Sequence, residues 1–390
     1  MNEVFNKIKG DKTIWMVVII LSVISVLSVY SATGTLAYRF RAGNTEYYLL
    51  KHFTILIFGL FLMFLAHRVK YTFYSRLSQI MLIIAVPLLL ITLFRGTTIH
   101  EANRWLTLPV INISFQSSDF AKLALIMYLA RVLTKKQDQI KDFKSAFLPV
   151  VVPVFIVCGL ILPANLSTSI VIFATCVVIM FVGRVNFKYI FAMCSIGLFL
   201  LTIFIAIMLR SPDQGRLFTW QSRIENYMNK EHSDTYQSDQ AKIAIATGGV
   251  FGKLPGNSTQ SNFLPQAFSD FIYAIIVEEY GLIGAVGIVL LYMILLFRGI
   301  KIAHRSPGTF GTLLATGLTF SIVFQAVINM AVTVDLIPVT GQPLPFISMG
   351  GTSLWFTSIA IGVILSISRK IENDSEEQME QMEGGVYASA

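Results

Sequence analysis

The run Ile14-Trp-Met-Val-Val-Ile-Ile-Leu-Ser-Val-Ile-Ser-Val-Leu-Ser-Val-Tyr30 contains no charged side chain. A helix needs about 20 mostly apolar residues to cross the hydrocarbon core of a bilayer, and this run is of that kind. It lacks a small-residue cleavage site and is followed by Tyr38-Arg-Phe-Arg41, so it reads as an uncleaved first membrane helix. Similar runs recur along the chain. They predict helices near 13–33, 48–67, 77–94, 117–133, 147–163, 165–183, 187–208, 269–297, 309–335 and 350–368. Composition agrees. Hydrophobic residues make up 55% of the 390 and charged residues 13%, against roughly 25% charged in soluble domains, and the mean hydropathy is +0.68. The expected fold is therefore an all-α integral membrane protein of about ten transmembrane helices, with residues 1–371 as its membrane domain. One large extracytoplasmic loop, 209–268, separates the seventh and eighth helices.

The net charge of +8 does not point to nucleic acid, because the basic residues cluster between apolar runs. With the N-terminus inside, the cytoplasmic segments hold Lys7, Lys9, Lys12, Arg68, Lys70, Arg131, Lys135, Lys136, Lys141, Lys144, Arg184, Lys188, Arg298, Lys301, Arg305, Arg369 and Lys370, among others. The short outer loops hold only Arg39, Arg41, Lys51, Arg95 and Arg104. Cytoplasmic loops carry the excess of Lys and Arg, so both ends are expected in the cytoplasm of an inner-membrane protein. Membrane lipids, through anionic headgroups and pyrophosphate lipids, suit this pattern as partners. Cys158, Cys176 and Cys194 sit inside apolar runs, where cysteine packs as a small hydrophobe. The tail 372–390, with Glu376, Glu377, Glu380 and Glu383, reads as acidic and disordered.

Chemistry concentrates in a few stretches. Gly248, Gly249 and Gly252 allow tight turns and close approach of backbone to a ligand. Ser269-Asp270 opens the eighth helix at the outer surface, where Asp270 has two compatible readings. It caps the helix, or it is a carboxylate held where a lipid-linked headgroup would sit, acting as a base or holding a divalent cation. Glu278 and Glu279 follow within an apolar helix, where a charge must face a cavity, find a cation or be protonated. Lys122, also within an apolar helix, is the candidate partner. Arg104-Trp105 suits either phosphate binding or interfacial anchoring. Gln325 and Asn329 share a helix face. The stretch Pro338 to Ser353 is too rich in proline and glycine for regular structure facing lipid, which predicts a re-entrant wall.

Taken together, these stretches resemble the SEDS family (shape, elongation, division and sporulation), of the FtsW/RodA/SpoVE type. The residues that carry the resemblance are Arg104-Trp105, Phe115-Gln116 with Ala121-Lys122-Leu123, Gly248-Gly249 with Gly252, Leu264-Pro265 to Asp270-Phe271, Glu278-Glu279 with Gly281, and Thr340-Gly341 to Gly350-Gly351. The resemblance implies polymerisation of lipid II into glycan strands on the outer face of the membrane. A GlcNAc 4-hydroxyl would attack the anomeric carbon of the donor MurNAc with inversion, and undecaprenyl pyrophosphate would leave. It implies Asp270 as the catalytic carboxylate, with Mg or Mn as a candidate cation. It also implies Arg104 and Lys122 in handling phosphate charge, and a class B penicillin-binding transpeptidase and other divisome proteins as partners. Gln116, Glu278, Glu279, Gln325, Asn329 and Ser348 complete the expected substrate-binding set. The opening Gly10-Asp-Lys-Thr-Ile-Trp15 looks closer to the division members, which act at the septum.

The sequence departs from the family pattern at Gln266, Phe268, Asn165 and Met349, while Asp270 remains. Two other readings stand beside the enzyme. A lipid II flippase would use Lys122, Glu278 and Glu279 as a translocation path, and a scaffold recruiting a transpeptidase would need no Asp270. Transporters bind near the midplane and show internal repeats, and no repeat is seen here.

Overall fold

In the computed structural model, which describes residues 9–41, 43–95, 97–99, 102–108, 113–210 and 236–388, the apolar runs of the sequence form helices. They are α1 Lys12–Ala32, α2 Gly34–Arg41, α3 Thr45–Arg68, α4 Tyr71–Arg95, α5 Ser117–Lys135, α6 Leu148–Ile161, α7 Leu166–Val182, α8 Phe187–Arg210, α9 Tyr236–Gly248, α10 Ile272–Arg305, α11 Thr309–Thr333 and α12 Thr352–Ala388. Their starts follow local chemistry. Asp11 Oδ1 accepts from the Thr13 and Ile14 N–H groups, and Asn44 and Asn165 cap α3 and α7 in the same way.

By length and hydropathy α1, α3, α4, α8, α10, α11 and α12 can each cross a membrane. The other three expected spans differ for physical reasons. α5 carries Asp119, Lys122 and Arg131, and it can do so because much of its length is buried among other helices. α6 and α7 are apolar but only 14 and 17 residues long. A π-helical turn, Phe143–Phe147, runs directly into α6 and lengthens it. Large apolar side chains such as Ile83, Phe191, Leu198, Leu282, Leu290 and Phe297 stand exposed on α4, α8 and α10, as a lipid-facing surface requires. Between α3 and α12 small residues allow contact. A Cβ on Gly59 would lie 2.5 Å from Leu354 Cδ2, and one on Gly362 would lie 2.4 Å from the Met63 carbonyl oxygen.

Four features differ from the expectations. The connection between α4 and α5 forms a three-stranded antiparallel sheet, β1 Thr97–Ile99, β2 Ala102–Leu108 and β3 Ile113–Gln116. Its β-branched and aromatic residues (Thr97, Thr98, Ile99, Trp105, Ile113, Phe115) favour strands. Part of the outer loop 209–268 is helical, namely α9. The tail continues α12 to Ala388 instead of leaving the fold, because Glu, Gln and Met are good helix formers, and Lys370 pairs with Asp374 one turn on. Lys9 also meets Glu376 at 2.7 Å. Finally, α10 is two helices joined at Gly281, whose φ of 67° and ψ of −164° are open to glycine alone among common residues.

Residues between α11 and α12 turn back into the bundle. The Ile347 carbonyl accepts from Ser25 Oγ at 2.7 Å, and the Pro345 carbonyl accepts from the Tyr292 hydroxyl. Ser25 lies about 10 Å inside the end of α1 at 1.5 Å per residue. The re-entrant wall is present, and each of these carbonyls finds a side-chain donor, as irregular backbone at that depth demands.

Candidate active site

The re-entrant segment is held by side chains that also hold Asp270. Gln325 and Asn329, both buried on α11, face it one turn apart. Gln325 Nε2 donates to the Pro343 carbonyl at 3.1 Å, and its Oε1 accepts from Lys122 Nζ at 2.8 Å. Asn329 Nδ2 donates to the Gln342 carbonyl at 2.7 Å and to the Asp270 carbonyl at 2.8 Å. Ser348 Oγ donates to the Ser269 carbonyl at 2.6 Å and accepts from Leu344 N–H at 2.7 Å. Two consecutive carbonyls, Ser269 and Asp270, are therefore fixed from opposite partners. The Asp270 carboxylate accepts from Ser269 Oγ at 3.0 Å and is half-buried. α10 opens at Ile272 with Phe271 at the N-cap position, so the carboxylate stands just ahead of the helix.

Lys122 is nearly buried, with 14% of its side chain exposed. Asp119, one turn earlier on α5, lies 3.7 Å from it and is 4% exposed. The sequence reading passed over Asp119, although the spacing Asp119-Phe-Ala-Lys122 puts the two charges on one helix face. Asn165, one of the departures from the family pattern, is held in place without a charge. Its Oδ1 caps α7 through Thr168 N–H and accepts from Gln342 Nε2 at 3.2 Å, so a neutral amide serves. Phe268 and Met349 meet through their backbones, with Met349 N–H donating to the Phe268 carbonyl at 3.0 Å. That contact needs no particular side chain at either position.

Other candidates are elsewhere. Gln116 is buried at the start of α5, its N–H on Thr352 Oγ1 at 3.2 Å and its amide on Ser118. It ties α5 to α12 and does not join the Lys122 chain. Arg104 belongs to β2, where its neighbour Trp105 pairs in register with Gln116, but both side chains lie outside the described residues, as do Trp220 and Tyr227.

Glu278 and Glu279 do not pair with Lys122. Glu278 is fully buried and accepts from Lys253 Nζ at 2.7 Å, Thr259 Oγ1 at 2.8 Å, Ser258 Oγ, and the N–H groups of Thr259 and Gln260. Glu279 accepts from Ser31 Oγ and Gly256 N–H. The kink at Gly281 explains the error. The expected helix ran straight through these residues, whereas the chain turns here and meets the outer loop. Gly248 and Gly252 serve that meeting. A Cβ on Gly248 would lie 2.2 Å from the Val277 carbonyl, and one on Gly252 would lie 2.2 Å from that of Glu279. Gly252 also has φ +77°.

Asp270 and Lys122 thus share one hydrogen-bonded frame, a carboxylate and an ammonium at the end of the bundle away from the chain termini. Among the described residues no three His, Cys, Asp or Glu side chains gather to hold a metal. A single carboxylate beside a hydroxyl suits a divalent cation that a phosphate substrate also ligates.

The family model described as cell cycle protein, covering FtsW, RodA and SpoVE, matches residues 11–373. The chain belongs to this family. Among curated relatives, stage V sporulation protein E of Bacillus subtilis is 33% identical over 369 residues, covering 93% of this chain and 98% of the relative. The probable peptidoglycan glycosyltransferase FtsW of Trichlorobacter lovleyi is 32% identical over 376 residues, covering 94% and 95%. Among solved structures, a chain from a peptidoglycan synthase complex that coordinates polymerization and crosslinking aligns with TM-score 0.72 at 23% identity, over 93% of this chain and 98% of its own length. The rod shape determining protein RodA of Thermus thermophilus aligns with TM-score 0.67 at 24% identity, covering 93% and 98%. At those identities the solved structures share their fold with this chain.

Proposed function

We propose that this chain is a peptidoglycan glycosyltransferase that polymerises lipid II into glycan strands at the outer face of the inner membrane, with Asp270 as its catalytic carboxylate. One observation carries the reading. Asp270 sits on a backbone fixed at two successive carbonyls, and the same re-entrant segment is tied through Gln325 to the ammonium of Lys122. Preorganised opposite charges near the membrane surface are what displacement of a pyrophosphate lipid by a sugar hydroxyl calls for.

In that displacement the acceptor 4-hydroxyl oxygen forms a bond to the donor anomeric carbon as the bond from that carbon to phosphate oxygen breaks. Attack opposite the leaving group inverts the centre. Asp270 receives the hydroxyl proton, and Lys122 neutralises charge on the departing pyrophosphate, with Arg104 as a second cation from β2. A shared Mg or Mn ion would bind through Asp270 and the substrate phosphates. Gln325, Asn329 and Ser348 act through the backbone they hold, as positioning residues, and Glu278 and Glu279 by anchoring the outer loop. Both termini and the acidic end of α12 then lie in the cytoplasm. The family description as cell cycle protein and a relative named for sporulation favour a septal role, and the solved complex that coordinates polymerization with crosslinking favours a class B penicillin-binding transpeptidase as partner.

Detergent separates this reading from transport, since lipid flipping has no meaning without leaflets. Labelled lipid II supplied to the detergent-purified, partner-bound protein should yield glycan ladders on a gel. Unchanged monomer from folded complex would overturn the reading in favour of a flippase or scaffold.

A further inference from the structure

At the opposite end of the bundle lies a cleft of about 610 Å³. Its wall comes from three separate connections. The turn after α5 gives Gln137, Ile140 and Lys141, the end of α7 gives Val182 and Arg184, and the start of α11 gives Thr309, Thr312 and Leu313. The lining is divided by chemistry. Lys141, Arg184, Gln137 and Thr309 offer donors, the Thr312 hydroxyl being engaged with the Ala303 carbonyl at 3.0 Å, while Ile140, Val182 and Leu313 form an apolar floor. No carboxylate lines it. Asp138 and Asp142 stand on the adjoining rim, and Asp142 is already engaged by the N–H and hydroxyl of Ser145. Neither Lys141 nor Arg184 is in an ion pair among the described residues.

Arg184 is placed with some effort. Its φ of +62° is a left-handed conformation that arginine rarely adopts. It closes α7 through its N–H on the Phe181 carbonyl at 3.1 Å, a position where glycine or asparagine is the usual choice. Beside it Phe181 and Phe187 are 65% and 68% exposed on the apolar flank of α7 and α8, so the cleft opens where helices meet lipid.

We infer that this cleft binds the phosphodiester headgroup of an anionic phospholipid from the leaflet on the side of the chain termini. Basic pockets between membrane helices on that side suit such headgroups, and the apolar floor distinguishes a lipid from free phosphate. This site is separate from the glycosyltransferase reading, and its test does not use activity.

The protein, in mixed micelles with phosphatidylglycerol and phosphatidylethanolamine, would be examined by native mass spectrometry for retained lipid. The wild type should retain phosphatidylglycerol preferentially. Lys141→Gln and Arg184→Gly should each lower that retention by about fivefold, whereas Lys188→Gln, an exposed cation outside the cleft, should not. Arg184→Gly suits the left-handed backbone, and an unchanged melting temperature will show that the variants fold. Equal retention by wild type and the double variant would overturn the inference. So would displacement of the lipid by millimolar inorganic phosphate, which would make this a free-anion site.

Discussion

At the residue scale, side chains proposed to meet substrate differ from those that hold backbone. Lys122 is tied to Gln325, yet Gln325 keeps its second bond to Pro343 without it. Lys122→Met should therefore leave the re-entrant segment tied and lower lipid II polymerisation by about 10²-fold, the effect of losing one preorganised charge contact, and it should also lower the melting temperature, because the buried Asp119 loses its nearby cation. A normal polymer yield from this variant would remove Lys122 from the site. Glu278 works differently. Its carboxylate collects an ammonium, two hydroxyls and two N–H groups in a site with no exposure. Glu278→Gln puts a donor where donors already converge and should cost about 1–3 kcal/mol, read as a lower melting temperature. An unchanged melting temperature would show that the cage contributes nothing.

At the element scale the outer loop is joined to the bundle through α9. Lys242 meets Asp335, just beyond α11, at 2.8 Å. The hydrogen bond to Asp335 raises the Lys242 amine above its ordinary 10.5. The folded state thus holds that proton more tightly than the unfolded chain. Its contribution is complete below pH 10.5 and disappears as pH rises through the higher folded value. The melting temperature should fall over that range for the wild type, and Lys242→Met should lack that component. Identical pH profiles would exclude the pair as an anchor. The elements themselves were largely legible, because apolar length and end caps such as Asp11, Asn44 and Asn165 are local signals. The Gly281 kink was not. A glycine in an apolar run is compatible with a straight helix, as Gly284 and Gly287 are in the same run, and only the outer loop pressing on residues 277–281 selects the turn. The β-meander was hidden for a related reason, as strands this short depend on each other for pairing.

At the scale of the whole molecule, two polar ends flank an apolar belt. The basic clusters predict which end is which, and labelling can test the assignment. With Cys194 replaced by serine and Cys158 and Cys176 buried, Asn257→Cys should react with an impermeant maleimide on intact cells. Arg305→Cys should react only after permeabilisation, and the reverse pattern would invert the topology. The site was legible as a set of residue types. Asp270, Lys122, Gln325, Asn329 and Ser348 were all singled out, and they converge on one segment. The partners of Glu278 and Glu279 were misread, because the choice between Lys122 and Lys253 is made by tertiary structure. Asp119 was overlooked beside the lysine it accompanies.

The central claim is that the Asp270 carboxylate takes part in sugar transfer. The direct measurement is the rate of glycan polymerisation from labelled lipid II by wild type, Asp270→Asn and Asp270→Ala, each with its transpeptidase partner. The backbone contacts from Asn329 and Ser348 do not involve the carboxylate, so both variants should fold and bind the partner. Both should lose polymerisation by at least about 10²-fold, the usual worth of a proton-accepting group. Glycan ladders at the wild-type rate from either variant would contradict the account.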